Sequence, residues 1–204
     1  MTDPQETLDL LDWKRRISEL YAYVRGAEPR AAWERWRAER DDLFRSHPQS
    51  PVPEERRGDF AGLKVYEYHA AFRVTGVVEA APREELRVPS SRDEETVFTR
   101  FGTVRFRLGG GEHALDLFWI AGYGGGLFLP FRDATSGRAT YGAGRYLYDT
   151  IKGADLGTTE TGALVLDFNF AYNPSCAYDP RWSCPLAPSD NVLDLRVEAG
   201  EKAP

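Results

Sequence analysis

Two spacings of apolar residues divide this chain. Leu10, Trp13, Ile17, Leu20 and Val24 recur every three or four residues, which lays them along one face of a helix. Asp3 is placed to cap that helix, Pro4 suits its first position, Glu6 follows three residues after the cap, and Gly26 supplies its stop. A second helix is expected from about Pro29, with Trp33, Trp36, Arg40, Leu43 and Phe44 on one side and charge on the others. His47-Pro48 ends it, because a residue before proline avoids the helical region. The pair Trp33/Trp36 is expected to pack into a core. From residue 63 the period becomes two. Strands are expected over 63–68, 71–80, 84–88, 96–101, 127–131, 138–141, 144–148, 162–172 and 191–200. Val104, Phe106 and Leu108 alternate into Gly109, Gly110 and Gly111, and a return strand ends near Ile120, which reads as a hairpin. Pro130 puts the 127–131 strand at an edge or a strand end.

The implied fold is α+β, two N-terminal helices packed on an antiparallel β barrel or two-sheet sandwich. The expected organisation is a helical arm at 1–47, a proline-rich charged linker at 48–62 and a β domain at 63–204, forming one globular unit. A hydrophobic fraction of 42% with 13% aromatic residues supports a real core. A net charge of −6 argues against a general nucleic-acid binder. No apolar run approaches the ~20 residues that span a bilayer, so no membrane association is expected. The N-terminus has no basic region followed by an apolar one, so a cytoplasmic location is expected. Nothing fixes the oligomeric state.

The late strand carries the candidate chemistry. Strict alternation would put Leu164, Leu166, Phe168 and Phe170 on a core face and Val165, Asp167 and Asn169 on the other. Asp167 and Asn169 would then be displayed two residues of strand rise, about 7 Å, apart. The chain runs on into DFNFAYNPSCAYDPRWSCPLAP, residues 167–188. Of its three asparagines, Asn169 and Asn173 lie here and Asn191 just beyond, and both cysteines, Cys176 and Cys184, lie here too.

Upstream, FRDATSGRATYGAGRY offers Arg132, Asp133, Ser136, Tyr141 and Arg145, which suit an anionic or carbonyl-bearing ligand. Turn chemistry is the competing account of Asp133 through Gly137, and an Arg–Asp structural pair the competing account of the charges. The leading expectation is a small-molecule pocket formed by Arg132, Asp133, Ser136, Tyr141, Arg145, Asp167, Asn169, Tyr172, Asn173 and Tyr178. An enzyme is the alternative, a hydrolase or thiol catalyst using Cys176 or Cys184 with His47, or Asp167 as general base. A third reading makes the C-terminal block a structural closing loop. Two buried reduced thiols, a disulfide between them, and zinc held by Cys176, Cys184 and His47 all stay open, although the C-x7-C spacing suits no closed zinc site. No metal is therefore expected, and no motif names a cofactor.

The runs LFLPFRDATSGRATYGAGRYL, LDFNFAYNPSCAYDPRWSCPLAP and NVLDLRVEAGEK, together with HPQSPV and the helix bearing Trp33 and Arg37, resemble the signature blocks of the bacterial and archaeal family called domain of unknown function 1684. The resemblance covers most of the chain. It directs attention to His47, Ser50, Pro51, Arg132, Asp133, Thr135, Ser136, Tyr141, Gly144, Arg145, Asp167, Asn169, Tyr172, Asn173, Cys176, Tyr178, Cys184 and Asn191, and implies no activity. The family more often has a basic residue where this chain has Phe170.

Overall fold

In a computed structural model, which describes residues 3–89, 95–121 and 124–204, helices α1 (Pro4–Gly26) and α2 (Pro29–Ser46) lie against a nearly closed antiparallel barrel. Asp3 accepts the Gln5 N–H and Glu28 accepts those of Arg30 and Ala31, so both helices are capped by side chains. The α2 stripe is buried as its spacing predicts: Trp33, Trp36, Arg40, Leu43 and Phe44 all face inward. The linker is not featureless, since it carries a single helical turn, α3 (Glu54–Arg57).

The strands are β1 (Arg73–Pro89), β2 (Glu95–Leu108), β3 (Gly111–Ile120), β4 (Gly126–Asp133), β5 (Arg145–Asp149), β6 (Leu164–Asp167) and β7 (Val192–Leu193). They run in the order β5-β4-β3-β2-β1-β6, and β7 lies parallel to the end of β4. The Tyr146 and Tyr172 backbones exchange both hydrogen bonds, at 2.8 and 3.1 Å, which joins β5 to the chain beyond β6 and brings the sheet round on itself. Phe98, Phe106, Phe118, Phe128, Phe131 and Phe168 are buried in the core. Trp36 joins helices to barrel: its ring meets Phe170 edge-on at 5.5 Å, and its Nε1–H donates to Tyr21 at 3.2 Å.

Several strand expectations change. Residues 71–72 lie in a 3₁₀ turn, Ala70–Phe72, while 73–80 and 84–88 belong to one strand, β1, whose register against β2 shifts between Ala80 and Glu84. The bulge interrupts alternation without ending the pairing. The 96–101 and 104–108 segments likewise form one strand, β2. The 63–68 stretch holds only one bridge, Val65 to Glu201, and 138–141 only the Ser136–Thr140 bridge. The 191–200 stretch pairs only at Val192–Leu193.

The late strand needs the largest correction. It ends at Asp167, and Phe168–Phe170 form a 3₁₀ turn. Asp167 Oδ1 accepts the Asn169 backbone N–H at 3.1 Å, so the side chain captures the backbone that would have continued the ladder. Asp167 and Asn169 are therefore buried and in contact, with Asn169 Nδ2 donating to Asp167 Oδ1 at 2.8 Å. They are not displayed on an open face.

Candidate functional site

All three asparagines act as pieces of backbone. Asn169 accepts the His69 N–H at 2.9 Å and donates to the His69 carbonyl at 3.0 Å, pairing with that residue as a strand would. Asn191 does the same for Asp116, at 2.7 and 3.1 Å, and also donates to the Pro130 carbonyl at 2.6 Å. Asn173 donates to the Lys202 carbonyl at 2.8 Å. Each satisfies main-chain groups that the irregular segments leave unpaired. Among the described residues the Asn173 Oδ1 has no hydrogen-bond partner; Asn173 borders a small cavity of about 40 Å³ with Tyr172, enough for water.

The arginine and aspartate of the 131–145 region also turn inward. Arg145 is buried; its Nη1 donates to the carbonyls of Ala199 and Glu201, and its Nη2 to the Val197 carbonyl at 3.0 Å and Asp133 Oδ1 at 3.3 Å. Asp133 Oδ2 accepts the Val197 N–H at 2.8 Å and the Thr135 N–H at 3.1 Å. Ser136 Oγ accepts the Asp133 N–H at 3.1 Å. Arg132 donates to the Ser189 carbonyl at 3.1 Å. These groups hold residues 189–201 onto the barrel. Gly200 fits there because it adopts φ +74° and its missing side chain would stand 2.4 Å from the Ala171 carbonyl.

Glu201, which sequence inspection did not single out, is the centre of this clamp. Its Oε1 accepts Arg40 Nε and Nη2 at 2.9 and 2.6 Å, and its Oε2 accepts the Asn173 N–H at 2.8 Å and the Tyr178 hydroxyl at 3.0 Å. The signal for it lay on α2: Arg40 on an apolar stripe demands a buried partner. Arg40 also lies over the rings of Trp36, Phe44 and Tyr172, about 5 Å from each.

Cys176 and Cys184 are not joined in a disulfide. Cys184 Sγ accepts the Cys176 N–H at 3.3 Å, and the Tyr141 hydroxyl lies 3.8 Å from Cys176 Sγ. Contact with the Cys176 thiol and burial push the Cys184 thiol far up, while burial and the Cys176 thiol push the Tyr141 phenol up to about 12. Both are the reverse of an activated nucleophile. His47 is engaged elsewhere: Nδ1 accepts the Gln49 N–H at 3.0 Å and Nε2 lies 3.4 Å from Asp12. Among the described residues no three His, Cys, Asp or Glu side chains converge to hold a metal, so the Cys176, Cys184 and His47 set is not assembled.

Asp167 differs from all of these. It is 1% exposed, yet among the described residues its Oδ2 accepts no hydrogen bond; Arg73 Nε lies 3.5 Å away. Burial raises its carboxyl to about 6, against the lowering pull of Asn169 and Arg73. It borders a cavity of about 220 Å³ between the helices and the β6 side of the barrel. Val24, Ala27, Leu156 and Phe170 supply apolar walls, and Arg25, Arg73 and Thr158 supply polar ones. None of those lining residues except Asp167 was expected at a site, because each is ordinary in its own element. Thus the expected pocket is divided. Asp167 lines this cavity, Tyr172 and Asn173 the small one, and Tyr178 a third of about 310 Å³. Arg132, Asp133, Ser136, Tyr141, Arg145 and Asn169 line none of the three.

Comparison with known proteins agrees with the signature blocks. The model of the family described as "Protein of unknown function (DUF1684)" matches residues 58–202. The chain belongs to this family. Its fold resembles the solution NMR structure of the uncharacterized protein from gene locus rrnAC0354 of Haloarcula marismortui, with a TM-score of 0.60 and 36% identity over 81% of this chain and 89% of that one. No curated protein matches. Within this DUF1684 chain, no described helix is long and apolar enough to cross a membrane.

Proposed function

We propose that this protein binds a small molecule in the cavity bordered by Asp167, with the carboxylate as the group that orients it. One observation carries the reading: a buried carboxylate oxygen without a hydrogen bond, on a cavity of about 220 Å³. Leaving such an acceptor without a hydrogen bond costs about 1–3 kcal/mol, which a bound donor would recover. The chemistry asks for an amine, amide N–H or hydroxyl toward Oδ2 and an apolar body against Val24, Ala27 and Phe170. Arg73, whose Nε lies 3.5 Å from Oδ2, and Arg25 add positive charge to the same cavity, which suits a carboxylate or carbonyl on the bound molecule.

A second reading follows from the acidity. A carboxyl raised to about 6 is half ionised close to neutrality, where a general base works best. It would make the bound molecule a substrate that loses a proton to Oδ2.

A thermal-shift and ligand-observed NMR screen of small amides, hydroxy acids and amino acids tests binding. Hits that weaken at least about tenfold in Asp167→Asn, about 1.4 kcal/mol, are expected. Hits indifferent to Asp167→Asn, or no hits, would overturn the proposal. Turnover of a hit with a rate rising through pH 6 would select the second reading.

A further inference from the structure

The cavity of about 310 Å³ at Tyr178 shares no lining residue with the one at Asp167 and has a different character. Segment 52–64 forms one wall and the tail at 202–204 the other. Both walls are tied down. Asp41 Oδ1 accepts the Leu63 N–H at 2.7 Å, which pins the far end of the segment to α2. Ser50 Oγ donates to the Phe44 carbonyl at 2.6 Å and accepts the Val52 N–H at 3.1 Å, which pins its near end. The tail is held where Lys202 N–H donates to the Lys64 carbonyl at 2.8 Å, one step along from the Val65–Glu201 bridge.

That antiparallel register sets Lys64 directly opposite Lys202, and both line the cleft. Like charges placed opposite each other across two strands repel. Arg56 adds a third cation, and Asp59 is the one acidic side chain in the lining. None of the three cations makes an ion pair among the described residues. Lys202 Nζ instead lies 4.6 Å from the centre of the Tyr66 ring. The molecule as a whole carries −6, so this is a cationic recess on an acidic protein. Between the cations lie Phe60, Leu63 and the Tyr178 ring, a mostly apolar surface. The Tyr178 hydroxyl is committed to Glu201 Oε2 at 3.0 Å, so the ring, and not its hydroxyl, is what the cleft offers.

We infer that this cleft is a second binding site, for a small molecule with a planar apolar body and an anionic carboxylate or phosphate group. The anion would sit between Lys64, Lys202 and Arg56 and relieve their repulsion, and the body would lie on Phe60 and Tyr178. The volume is at the lower end of the range for small-molecule pockets, ~300–1,000 Å³, and suits a single ring with its substituent. The site does not depend on the Asp167 proposal.

Phenyl phosphate and benzoate are the probes, titrated into the full chain by isothermal calorimetry and followed by NMR, with phenol and inorganic phosphate as the two halves. Phenyl phosphate or benzoate is expected to bind at least tenfold more tightly than either half. In Lys64→Gln/Lys202→Gln that affinity is expected to fall at least tenfold, in Asp167→Asn to stay as in the wild type, and with added salt to weaken. Preference between the probes identifies the anion. Lys64 and Lys202 side chains reach solvent, and circular dichroism checks the fold; should the double variant unfold, Arg56→Gln replaces it, with at least a threefold loss expected. Failure of both probes to bind at millimolar concentration, or affinity unchanged in the lysine variant, would overturn the inference. So would binding by phenol alone.

Discussion

Glu201 and Asp167 are buried to the same degree, 0% and 1% exposed, and each faces an arginine, at 2.6 and 3.5 Å, but their oxygens are filled very differently. Glu201 meets a guanidinium with one oxygen and two neutral donors with the other. Asp167 spends Oδ1 on Asn169 and leaves Oδ2 without a hydrogen bond beside a cavity. A buried charge is tolerated when its lone pairs are filled. Glu201 therefore works as a structural joint, whereas Asp167 carries an unmet demand. Burial by itself does not separate the two; the tally of donors does.

Glu201→Gln should have the largest effect. It strands the Arg40 charge in the interior and is expected to cost about 3–5 kcal/mol in urea denaturation. Arg40→Met/Glu201→Leu should recover part of that loss, because it removes both charges together. A loss below about 1 kcal/mol for Glu201→Gln would erase the contrast.

Asp167→Asn should move stability the other way. The folded carboxyl titrates at about 6 against an ordinary 3.8, so the folded state holds its proton more tightly than the unfolded chain. The resulting penalty is absent below pH 3.8, grows as pH rises toward 6 and is complete above it. That interval corresponds to about 3 kcal/mol. The variant is expected to be more stable than the wild type at pH 7.5 by up to that amount, with the gap narrowing at pH 5. A gap that does not change with pH would show that Asp167 is satisfied after all.

Asn169→Ala removes the partner of both His69 backbone groups and one donor to Asp167. An expected loss of about 1–3 kcal/mol should be accompanied by faster amide exchange at His69. The smallest effect on stability is expected from Cys184→Ala, about 1 kcal/mol, since its thiol is a small buried group. In the wild type, iodoacetamide at pH 7.5 should label Cys184 only after unfolding, which mass spectrometry of the labelled peptide will read.

The helices were legible in the sequence because period and caps are local properties. Trp36 and Phe44 had to face inward whatever they met. The strands were legible in kind but not in extent, since the bulge between Ala80 and Glu84 breaks alternation inside a strand that continues. The clamp was not legible. Asn169 finds His69 one hundred residues away, and Arg40 finds Glu201 at a separation of 161. Nothing local to either residue specifies such a partner. Asp167 stood out in the sequence but its surroundings did not, because a side chain that captures its own backbone ends a strand that apolar alternation would extend. The cluster of Asn, Arg and Tyr that suggested a pocket is spread over the clamp and three separate cavities, and its concentration in sequence reflects how much irregular backbone it must satisfy.

The tail that Arg145 and Arg40 grip has a consequence for how the molecule is made. Residues 197–203 are synthesised after everything they hold together, and Glu201 alone touches α2, the segment at Asn173 and Tyr178. On the ribosome, a nascent chain lacking these residues carries Arg40, Asp133 and Arg145 with their principal partners still unmade. The helices can form as they emerge, but the barrel cannot be locked until residues 197–203 have left the ribosome. Contacts of such sequence separation form slowly, and the exposed β strands of an unlocked barrel invite pairing with other chains. Locking of the barrel therefore waits on residues 197–203, and their removal should show first as aggregation during expression.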